Sequence, residues 1–247
     1  MRLLVDIGNS RIKGGTESRG VIGLLPPCEW RRLESGEAFT RIFGALQRPT
    51  QVLVSNVAGN AIANALNRWC QERWTIAPEY ATVRAECAGM RTLYDRPAQL
   101  GIDRWLAALA GFARVRGAVC VVDAGTALTV DVVTAAGEHR GGLIAPGLSL
   151  MARSLTQGTA QLALDEVQTV DRFATNTAHA ISLGCREAMA GILARVAERW
   201  EREFHETPAW IATGGEASVI RELSPVPIDV VPDLVLRGLA IAADADS

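Results

Sequence analysis

Apolar residues along the chain follow two spacings, which predict strands and helices in alternation. Short apolar runs at residues 3–5, 51–55 and 118–122 are typical of buried strands. Apolar residues three or four positions apart predict amphipathic helices over residues 61–69, 102–116 and 178–204. Thr175, Asn176 and Thr177 precede the longest helix, and all three residue types cap helix N-termini. The pattern predicts an α/β protein.

One strand pattern occurs twice. Residues 3–10 read LLVDIGNS and residues 120–127 read CVVDAGTA, so that an apolar run, Asp-x-Gly and a small polar residue recur 117 positions apart. A repeat at half the chain length predicts two similar domains, each with its Asp-x-Gly turn at the end of its first strand. We place the boundary at the turn around Gly117, giving domains at 1–116 and 117–247.

Either turn alone is open to two interpretations. A strand that ends in Asp-x-Gly is often only a hairpin turn. The same residues also suit phosphate, because a glycine lets main-chain N–H groups approach an anion and an aspartate can hold hydrated Mg²⁺. Asn9, Ser10 and Thr126 offer further donors, and Lys13 could neutralise charge on a transferred group. Their pairing favours a nucleotide clamped between two domains.

Two other stretches carry candidate chemistry. In TGGE at 213–216, paired glycines at a strand-to-helix junction suit a flat ligand such as adenine, or are simply a tight connection. In LGIDRW at 100–105, Asp103 could accept a proton from a substrate hydroxyl while Arg104 grips a carboxylate. An aspartate in the first turn of a helix also complements the helix dipole without any catalytic role.

Composition excludes several classes of protein. The 247 residues include 25 basic and 27 acidic ones, a net charge of −2, and no Lys/Arg-rich block interleaved with aromatics, which argues against nucleic-acid binding. Five scattered cysteines without a CxxC pair indicate reduced thiols rather than disulfides or zinc. No apolar run approaches the roughly 18 residues of a membrane span. We therefore expect a soluble cytoplasmic protein.

Taken together, the motifs are similar to those of a known family. DIGNSRIK at 6–13, YDRPAQLGIDRW at 94–105, VVDAGTALTVD at 121–131, GGLIAPG at 141–147, NT at 176–177, TGGE at 213–216 and PDLVLRGL at 232–239 resemble type III pantothenate kinases in order and spacing. The resemblance implies two ribonuclease-H-like domains of the actin-like ATPase superfamily, each a mixed five-stranded sheet with flanking helices, around a nucleotide cleft. It further implies ATP-dependent phosphorylation of pantothenate, the first step of coenzyme A synthesis, by a homodimer that needs Mg²⁺ and potassium or ammonium.

The same resemblance implies residue roles. The ATP site would comprise Asp6, Ile7, Gly8, Asn9, Ser10, Arg11, Ile12, Lys13, Gly125, Thr126, Gly214 and Gly215. Asp6 would lie near Mg²⁺ through water, Asp123 would bind the monovalent cation, and Asp103 would be the general base. Pantothenate would be lined by Tyr94, Gly101, Ile102, Asp103, Arg104 and, from the partner subunit, Thr177. Arg104 would hold its carboxylate.

The sequence departs from the family pattern at three sites, one of them a dipeptide. Ser10 replaces a usual threonine, Gly14 stands where an aromatic often follows the lysine, and Thr92-Leu93 replaces a commoner Asn-Gly. Two other functions also fit this fold. One is a kinase acting on another small substrate, against which LGIDRW and GGLIAPG argue. The other is a non-catalytic accessory factor for transcription, which would have no chemical need for the full set of aspartates.

Overall fold

A computed structural model describes residues 1–156 and 173–245 of the protein. The described residues form a five-stranded and a seven-stranded mixed sheet. Strands of the first are β1 (Arg2–Ile7), β2 (Arg11–Ser18), β3 (Val21–Glu29), β4 (Gln51–Asn56) and β5 (Glu79–Tyr80). Strands of the second are β6 (Glu86–Cys87), β7 (Met90–Thr92), β8 (Val119–Ala124), β9 (Ala127–Val133), β10 (Glu138–Pro146), β11 (Ala209–Thr213) and β12 (Asp229–Val230).

The helices agree with the predicted pattern. They are α1 (Ser35–Phe43), α2 (Asn60–Trp74), α3 (Ile102–Val115), α4 (Leu148–Thr156), α5 (Thr177–Phe204), α6 (Ala217–Leu223) and α7 (Leu234–Asp244). The predicted helices correspond to α2, α3 and α5. The Asn176 side chain accepts a hydrogen bond from the His179 backbone N–H and so caps α5, as its position predicts. In the described part of the chain, no helix is both long and apolar enough to cross a membrane.

The two sheets repeat one topology, which confirms the α/β architecture predicted from the paired motifs. The first sheet has the order β3-β2-β1-β4-β5, and five strands of the second have the equivalent order β10-β9-β8-β11-β12. In both sheets, the first three strands in this order pair antiparallel with one another. The central strand, β1 or β8, pairs parallel with β4 or β11, and that strand pairs parallel with the edge strand β5 or β12. β1 and β8, which end in the Asp-x-Gly turns, therefore occupy equivalent central positions.

The second sheet is larger than the predicted five strands. Two short strands, β6 and β7, extend it beyond β10, although they precede residue 116 in the sequence. Conversely, α7 from the end of the chain packs against β1 and β4 of the first sheet. Each sheet therefore receives an element from the other side of residue 116, and the division into 1–116 and 117–247 stays a prediction.

Alternation along the central strands assigns their residues to layers. In β1, Leu3, Val5 and Ile7 pack under α1 and α2, while Leu4 faces α3 and α7. In β8, Cys120 and Val122 pack towards α5 and α6, whereas Val119 and Val121 face α3. The helices α3 and α7 thus form a layer between the two sheets. Because side chains alternate, Asp6 and Asp123 both point to this inner side.

The inner layer is closely packed because small residues let backbones approach. A Cβ on Gly238 of α7 would lie 2.2 Å from the carbonyl oxygen of Leu106 in α3. A Cβ on Gly111 of α3 would lie 2.6 Å from Cγ2 of Val121 in β8. These glycines fix how closely α7, α3 and the second sheet pack.

We predict that Gly238→Ala destabilises the protein by about 1–3 kcal/mol, because the added methyl overpacks the contact with Leu106. The matched control is Gly191→Ala in α5, where a Cβ would meet nothing within 4 Å. That change should be neutral or stabilising by up to about 1 kcal/mol, the helix-propensity difference. Urea unfolding of both variants measures the effects, and equal stability of the two would contradict this account of the packing.

Candidate active site

The two Asp-x-Gly turns face each other across the inner layer. The Ser10 and Thr126 side-chain oxygens are 2.8 Å apart and share a hydrogen bond that joins the first turn to the second. Ser10, which stands in place of the family's threonine, therefore keeps the hydroxyl contact. The structure brings these two predicted residues together from positions 116 apart in the sequence.

The first turn is a β-hairpin and also one wall of this cleft. It joins β1 to β2, with Asp6 opposite Lys13 in the antiparallel register. The Gly8 N–H donates to the Arg11 carbonyl at 3.0 Å, and the Trp30 indole N–H donates to the Gly8 carbonyl at 3.0 Å. The two interpretations of this sequence are thus compatible: the hairpin holds a charged pair at the end of the central strand.

Gly14, the departure after the lysine, faces away from this cleft. Its position in β2 is opposite Val5, on the side of the sheet covered by α1. A Cβ there would lie 2.6 Å from Cε1 of Phe43. The Phe43 ring therefore occupies the space that a side chain at residue 14 would need, and the effect of this departure is on the outer core.

Asp6 is less exposed than Asp103 and Asp123, the other two carboxylates near the Asp-x-Gly turns. It is 5% exposed and accepts a hydrogen bond from Ser55 Oγ at 3.1 Å. Burial raises its pKa to about 6; the Lys13 charge opposes this shift, while Asp103 and Asp123 add to it. A carboxylate in this setting would gain from an added cation, because neighbouring negative charge disfavours its ionised form.

Asp103 and Asp123 share this environment. Burial raises the pKa of Asp123, with Lys13 opposing and the charges of Asp103 and Asp131 contributing. Burial also raises the pKa of Asp103, although the backbone N–H and the charge of Arg104 lower it. The cleft therefore collects three carboxylates near one lysine.

These carboxylates suit a metal ion that binds together with phosphate ligands. In the described ranges, no three His, Cys, Asp or Glu side chains are close enough to hold a metal ion by themselves. Mg²⁺ needs only one or two protein carboxylates, since waters and substrate phosphates complete its shell. Asp6, buried beside other carboxylates, has the oxygen chemistry and the unbalanced charge for that role.

Asp103 lies in the first turn of α3, where its backbone fixes the carboxylate. The Oδ1 atom accepts a hydrogen bond from the Arg104 backbone N–H at 2.8 Å. A Cβ on Gly101 would lie 2.8 Å from this same oxygen. Gly101 therefore leaves the space that the carboxylate occupies, which gives this glycine of LGIDRW a steric role.

Arg104 is buried and already has partners. Its Nε and Nη2 donate to the two carboxylate oxygens of Asp131 at 2.9 and 2.6 Å, a bidentate pair. Its Nη1 donates to the Tyr94 hydroxyl at 3.1 Å. The structure thus brings Tyr94 and Arg104 together, as the resemblance implies. Binding of a substrate carboxylate by Arg104 stays a prediction.

Gly141 and Gly142, the first two glycines of GGLIAPG, make room for the Arg104 and Tyr94 side chains. The ladder between β9 and β10 shifts register between His139 and Gly142. A Cβ on Gly142 would lie 1.9 Å from the Val130 carbonyl and 3.0 Å from Arg104 Nη2. Gly141 adopts a positive φ of 91° beside the Tyr94 ring. The motif is explained by close packing around Arg104 and Tyr94.

Sequence reasoning assigned no role to Asp131 or His139. Asp131 is 2% exposed, at an inward-facing position of the apolar strand β9, and His139 is fully buried in β10. His139 Nε2 is 2.9 Å from Asp131 Oδ1. One available signal was a lone charged residue, Asp131, in the otherwise uncharged strand run ALTVDVV.

The glycines at 214 and 215 lie over the second turn. Gly214 has a φ of 94°, and a Cβ there would lie 2.5 Å from Asp123 Oδ1. A Cβ on Gly215 would lie 2.9 Å from Arg11 Nη1. Glu216 next to them accepts hydrogen bonds from the Leu148 backbone and the Ser149 hydroxyl at the start of α4, at 3.2 and 2.7 Å.

Thr213 is another inward-facing residue. It belongs to the TGGE motif, but sequence reasoning gave its side chain no role. It pairs in register with Asp123 in the parallel β8–β11 ladder. Its Oγ1 is buried and has no hydrogen-bond partner among the described residues. This hydroxyl is an unused oxygen ligand beside the Asp123 carboxylate.

Thr177 is the first residue of α5 and is exposed. The helix itself packs on the outer face of the second sheet, through residues such as Met189 and Leu193. Asp103 belongs to the inner layer. The contribution of Thr177 to a partner's site therefore stays a prediction.

Comparison with known proteins decides the family. A family model described as type III pantothenate kinase matches residues 2–199. The chain belongs to the type III pantothenate kinase family. A relative of that name from Aromatoleum aromaticum is 40% identical, covering 100% of this chain and 99% of its own. Another from Nitrosococcus oceani is 38% identical, covering 98% of this chain and 94% of its own.

Solved structures confirm the actin-like ATPase fold at greater distance. A structure from Campylobacter jejuni, described as a Baf family transcriptional activator, has a TM-score of 0.61 at 20% identity, covering 99% of this chain and 98% of that one. A structure from Listeria monocytogenes, described as an N-acetylmannosamine kinase, has a TM-score of 0.53 at 15% identity, covering 100% and 99%. Type III pantothenate kinases thus share this fold with proteins of other described functions.

We predict that Asp6→Asn abolishes activity yet stabilises the folded protein at pH 8. The raised pKa of about 6 means that the folded state holds a proton which the unfolded state releases near pH 4. Raising the pH from 4 to 6 therefore removes stability, up to about 3 kcal/mol, and asparagine avoids this cost while still accepting from Ser55.

Urea unfolding at pH 5 and pH 8 measures this gain, which should be larger at pH 8. The control is Asp95→Asn, an exposed carboxylate, which should leave stability nearly unchanged at both values. A loss of stability in the Asp6 variant at pH 8 would show that the carboxylate is not under electrostatic strain.

Proposed function

We propose that the protein transfers the γ-phosphoryl group of ATP to the primary hydroxyl of pantothenate, forming 4'-phosphopantothenate in the first step of coenzyme A synthesis. The observation that carries this proposal is the pairing of the two turns through Ser10 and Thr126, with Asp103 on the adjacent helix. In a member of the type III pantothenate kinase family, this pairing supplies a phosphate clamp and a base at one cleft.

The two turns hold ATP in this proposal. Gly8 and Gly125 allow the backbone to approach phosphate, while Ser10, Thr126 and Lys13 supply donors and positive charge. Gly214 and Gly215 lie over the second turn and leave space for adenosine beside Arg11. Mg²⁺, held through Asp6, would neutralise phosphate charge.

Asp103 is the general base. Its carboxylate accepts the proton of the pantothenate hydroxyl as that oxygen forms a bond to the γ-phosphorus, and the bond from this phosphorus to the β–γ bridging oxygen breaks to release ADP. The hydrogen bond from Arg104 N–H fixes the Oδ1 atom and leaves Oδ2 for this role. Phosphoryl transfer has a loose transition state, so positioning and charge neutralisation supply most of the acceleration.

A monovalent cation, potassium or ammonium, would bind at Asp123. The Asp123 carboxylate and the unpartnered Thr213 hydroxyl stand side by side on the inner face. Burial raises the pKa of Asp123 and its like-charged neighbours add to the shift, so a cation there would stabilise the ionised carboxylate. This charge and this unused oxygen are what support the site.

The alternative functions account for less of the site. An accessory factor for transcription has no need of a base whose carboxylate is fixed by Arg104 N–H, and the likeness to the Campylobacter jejuni structure concerns the fold alone. A kinase acting on a sugar would not need the buried Arg104–Asp131 pair beside the base. Pantothenate, with a hydroxyl and a carboxylate at opposite ends, matches both features.

We predict that Asp103→Asn retains ATP affinity but lowers kcat by about 10²–10⁴, the usual contribution of a general base. Release of ADP in a coupled assay, with and without pantothenate, measures turnover, and calorimetry measures ATP binding. Asp95→Asn, which changes an exposed carboxylate eight residues before Asp103, serves as the control. Near-wild-type kcat in the Asp103 variant would remove this residue from the chemistry.

The same assay tests the whole proposal. ADP release by the wild-type protein should require pantothenate and should fall when potassium is replaced by sodium. If pantothenate elicits no ADP release with potassium, ammonium or sodium, the proposed function is wrong.

The proposed enzyme is a homodimer in which Thr177 reaches the partner's pantothenate site. Among the described residues, four large exposed hydrophobic side chains lie in or beside β10, α4 and the start of α5: Ile144, Leu150, Leu155 and Phe173. Phe173, 97% exposed, precedes Thr177 by only four positions. Several exposed apolar side chains on these neighbouring elements suit an interface.

We predict that Leu155→Asp weakens dimerisation, because a charge placed in an apolar interface loses its hydration on association. Analytical ultracentrifugation should show monomers, and the KM for pantothenate should rise in parallel. Leu24→Asp, another exposed leucine but in β3 of the first sheet, is the matched control. A monomeric variant with unchanged pantothenate affinity would refute the shared site.

A further inference from the structure

A closed ring of hydrogen bonds includes the Arg104 side chain. From the Tyr94 backbone N–H it passes to Thr92 Oγ1 at 3.3 Å, and from that oxygen to His139 Nδ1 at 3.1 Å. It continues from His139 Nε2 to Asp131 at 2.9 Å and returns through Arg104 to the Tyr94 hydroxyl. The ring therefore begins and ends on one tyrosine.

The chemistry of these groups fixes the direction of each bond. Asp131 already pairs with the Arg104 guanidinium and can only accept, so His139 donates from Nε2. Neutral imidazole then presents Nδ1 as an acceptor, and the Thr92 hydroxyl donates to it. This leaves a lone pair on Thr92 Oγ1 to accept the Tyr94 N–H. Every named donor in the ring has an acceptor.

The ring also fixes which donors remain for a ligand. Guanidinium has five N–H groups, of which three are used here, two by Asp131 and one by Tyr94. Tyr94 accepts from Arg104, so its own O–H proton is left to donate. The Tyr94 ring is further held by stacking on His139, with centroids 5.9 Å apart and planes within 19°.

The residues that orient the Arg104 and Tyr94 side chains come from separate elements of the fold. Asp131 lies on β9, His139 on β10 and Thr92 on β7, while Arg104 lies on α3. His139 is fully buried and Asp131 is 2% exposed, so neither is free to contact a ligand in bulk solvent. Their direct contacts are with Arg104, Tyr94 and Thr92.

We propose that Asp131 and His139 are positioning residues, which hold Arg104 and Tyr94 as a preformed receptor for the substrate carboxylate. The inference rests on the proposed function, since it concerns the acceptor pocket of the same reaction. Asp131 aligns the guanidinium through two bonds, and His139 fixes both Asp131 and the Tyr94 ring. Preorganised donors bind without the entropy cost of ordering them on each encounter.

The test compares two acceptor substrates: pantothenate and its primary-alcohol analogue, which lacks the carboxylate. His139→Phe keeps an aromatic ring beside Tyr94 but removes the donor to Asp131. We expect the preference for pantothenate over the alcohol, measured as the ratio of kcat/KM values, to fall about 10-fold or more, the usual effect of losing a hydrogen bond to a charged group. The loss should be in KM for pantothenate, with kcat and the KM for ATP nearly unchanged.

Three further variants sharpen the result. His139→Gln places an amide N–H near the position of Nε2 and should recover most of the preference. Thr92→Val removes the hydroxyl that holds Nδ1 with little change of shape, and should lower the preference by a few-fold, so it tests the ring if His139→Phe does not fold. Arg91→Gln alters an exposed ion pair with Glu138 on the neighbouring strands and should leave the preference unchanged.

The outcomes separate this inference from the proposed function. A wild-type protein that releases no ADP with pantothenate contradicts the function itself. If the wild type is active but the His139→Phe or Thr92→Val variant loses activity equally on both acceptors, the residue is purely structural and the positioning role is wrong. If neither acceptor is affected, the positioning role is also wrong, while the proposed function stands.

Discussion

The contact between α3 and α7 is the constraint on which the site depends. These helices form the only layer shared by both sheets in the described part of the chain, and Gly238 lets α7 approach the backbone of α3 at Leu106. The first turn of α3 carries Asp103, so the distance of α3 from both sheets sets where this carboxylate, the proposed base, lies relative to the two Asp-x-Gly turns. At the observed spacing, the Ser10 and Thr126 hydroxyls of the two turns share a hydrogen bond.

Within this frame, the cleft concentrates charge that the fold does not balance. Burial raises the pKa values of Asp6, Asp103 and Asp123, neighbouring carboxylates add to each shift, and Lys13 opposes it at Asp6 and Asp123. Such a cluster costs stability in the free protein. The same arrangement supports the proposed binding of a phosphate-bound Mg²⁺ and a monovalent cation, because bound cations would remove the repulsion. In this proposal, the residues that bind the cations destabilise the protein by electrostatic repulsion when no cation is bound.

The sequence predicted the parts of this architecture that short-range patterns determine. Continuous apolar runs ending in Asp-x-Gly specified two central strands, and their repetition predicted two similar units, in agreement with the equivalent sheet topologies of the structure. The ring around Arg104 could not be predicted in the same way, because it joins Thr92, Asp131 and His139 from three strands whose neighbours are set by the tertiary fold. The exchange of β6, β7 and α7 between the two halves also depends on packing that no local pattern encodes.

The two ends of the cleft therefore differ in how they would recognise substrate. At the phosphate end, Asp6 and Asp123 are negative charges in excess, so binding there depends on cations supplied with the ligand. At the acceptor end, Asp131 neutralises Arg104, and the pair carries little net charge. Attraction to a carboxylate must then come from the direction of the remaining donors rather than from a bare positive charge. Fixed donors discriminate between acceptors by geometry, so the proposed positioning residues, Asp131 and His139, would influence the choice of acceptor through Arg104 and Tyr94.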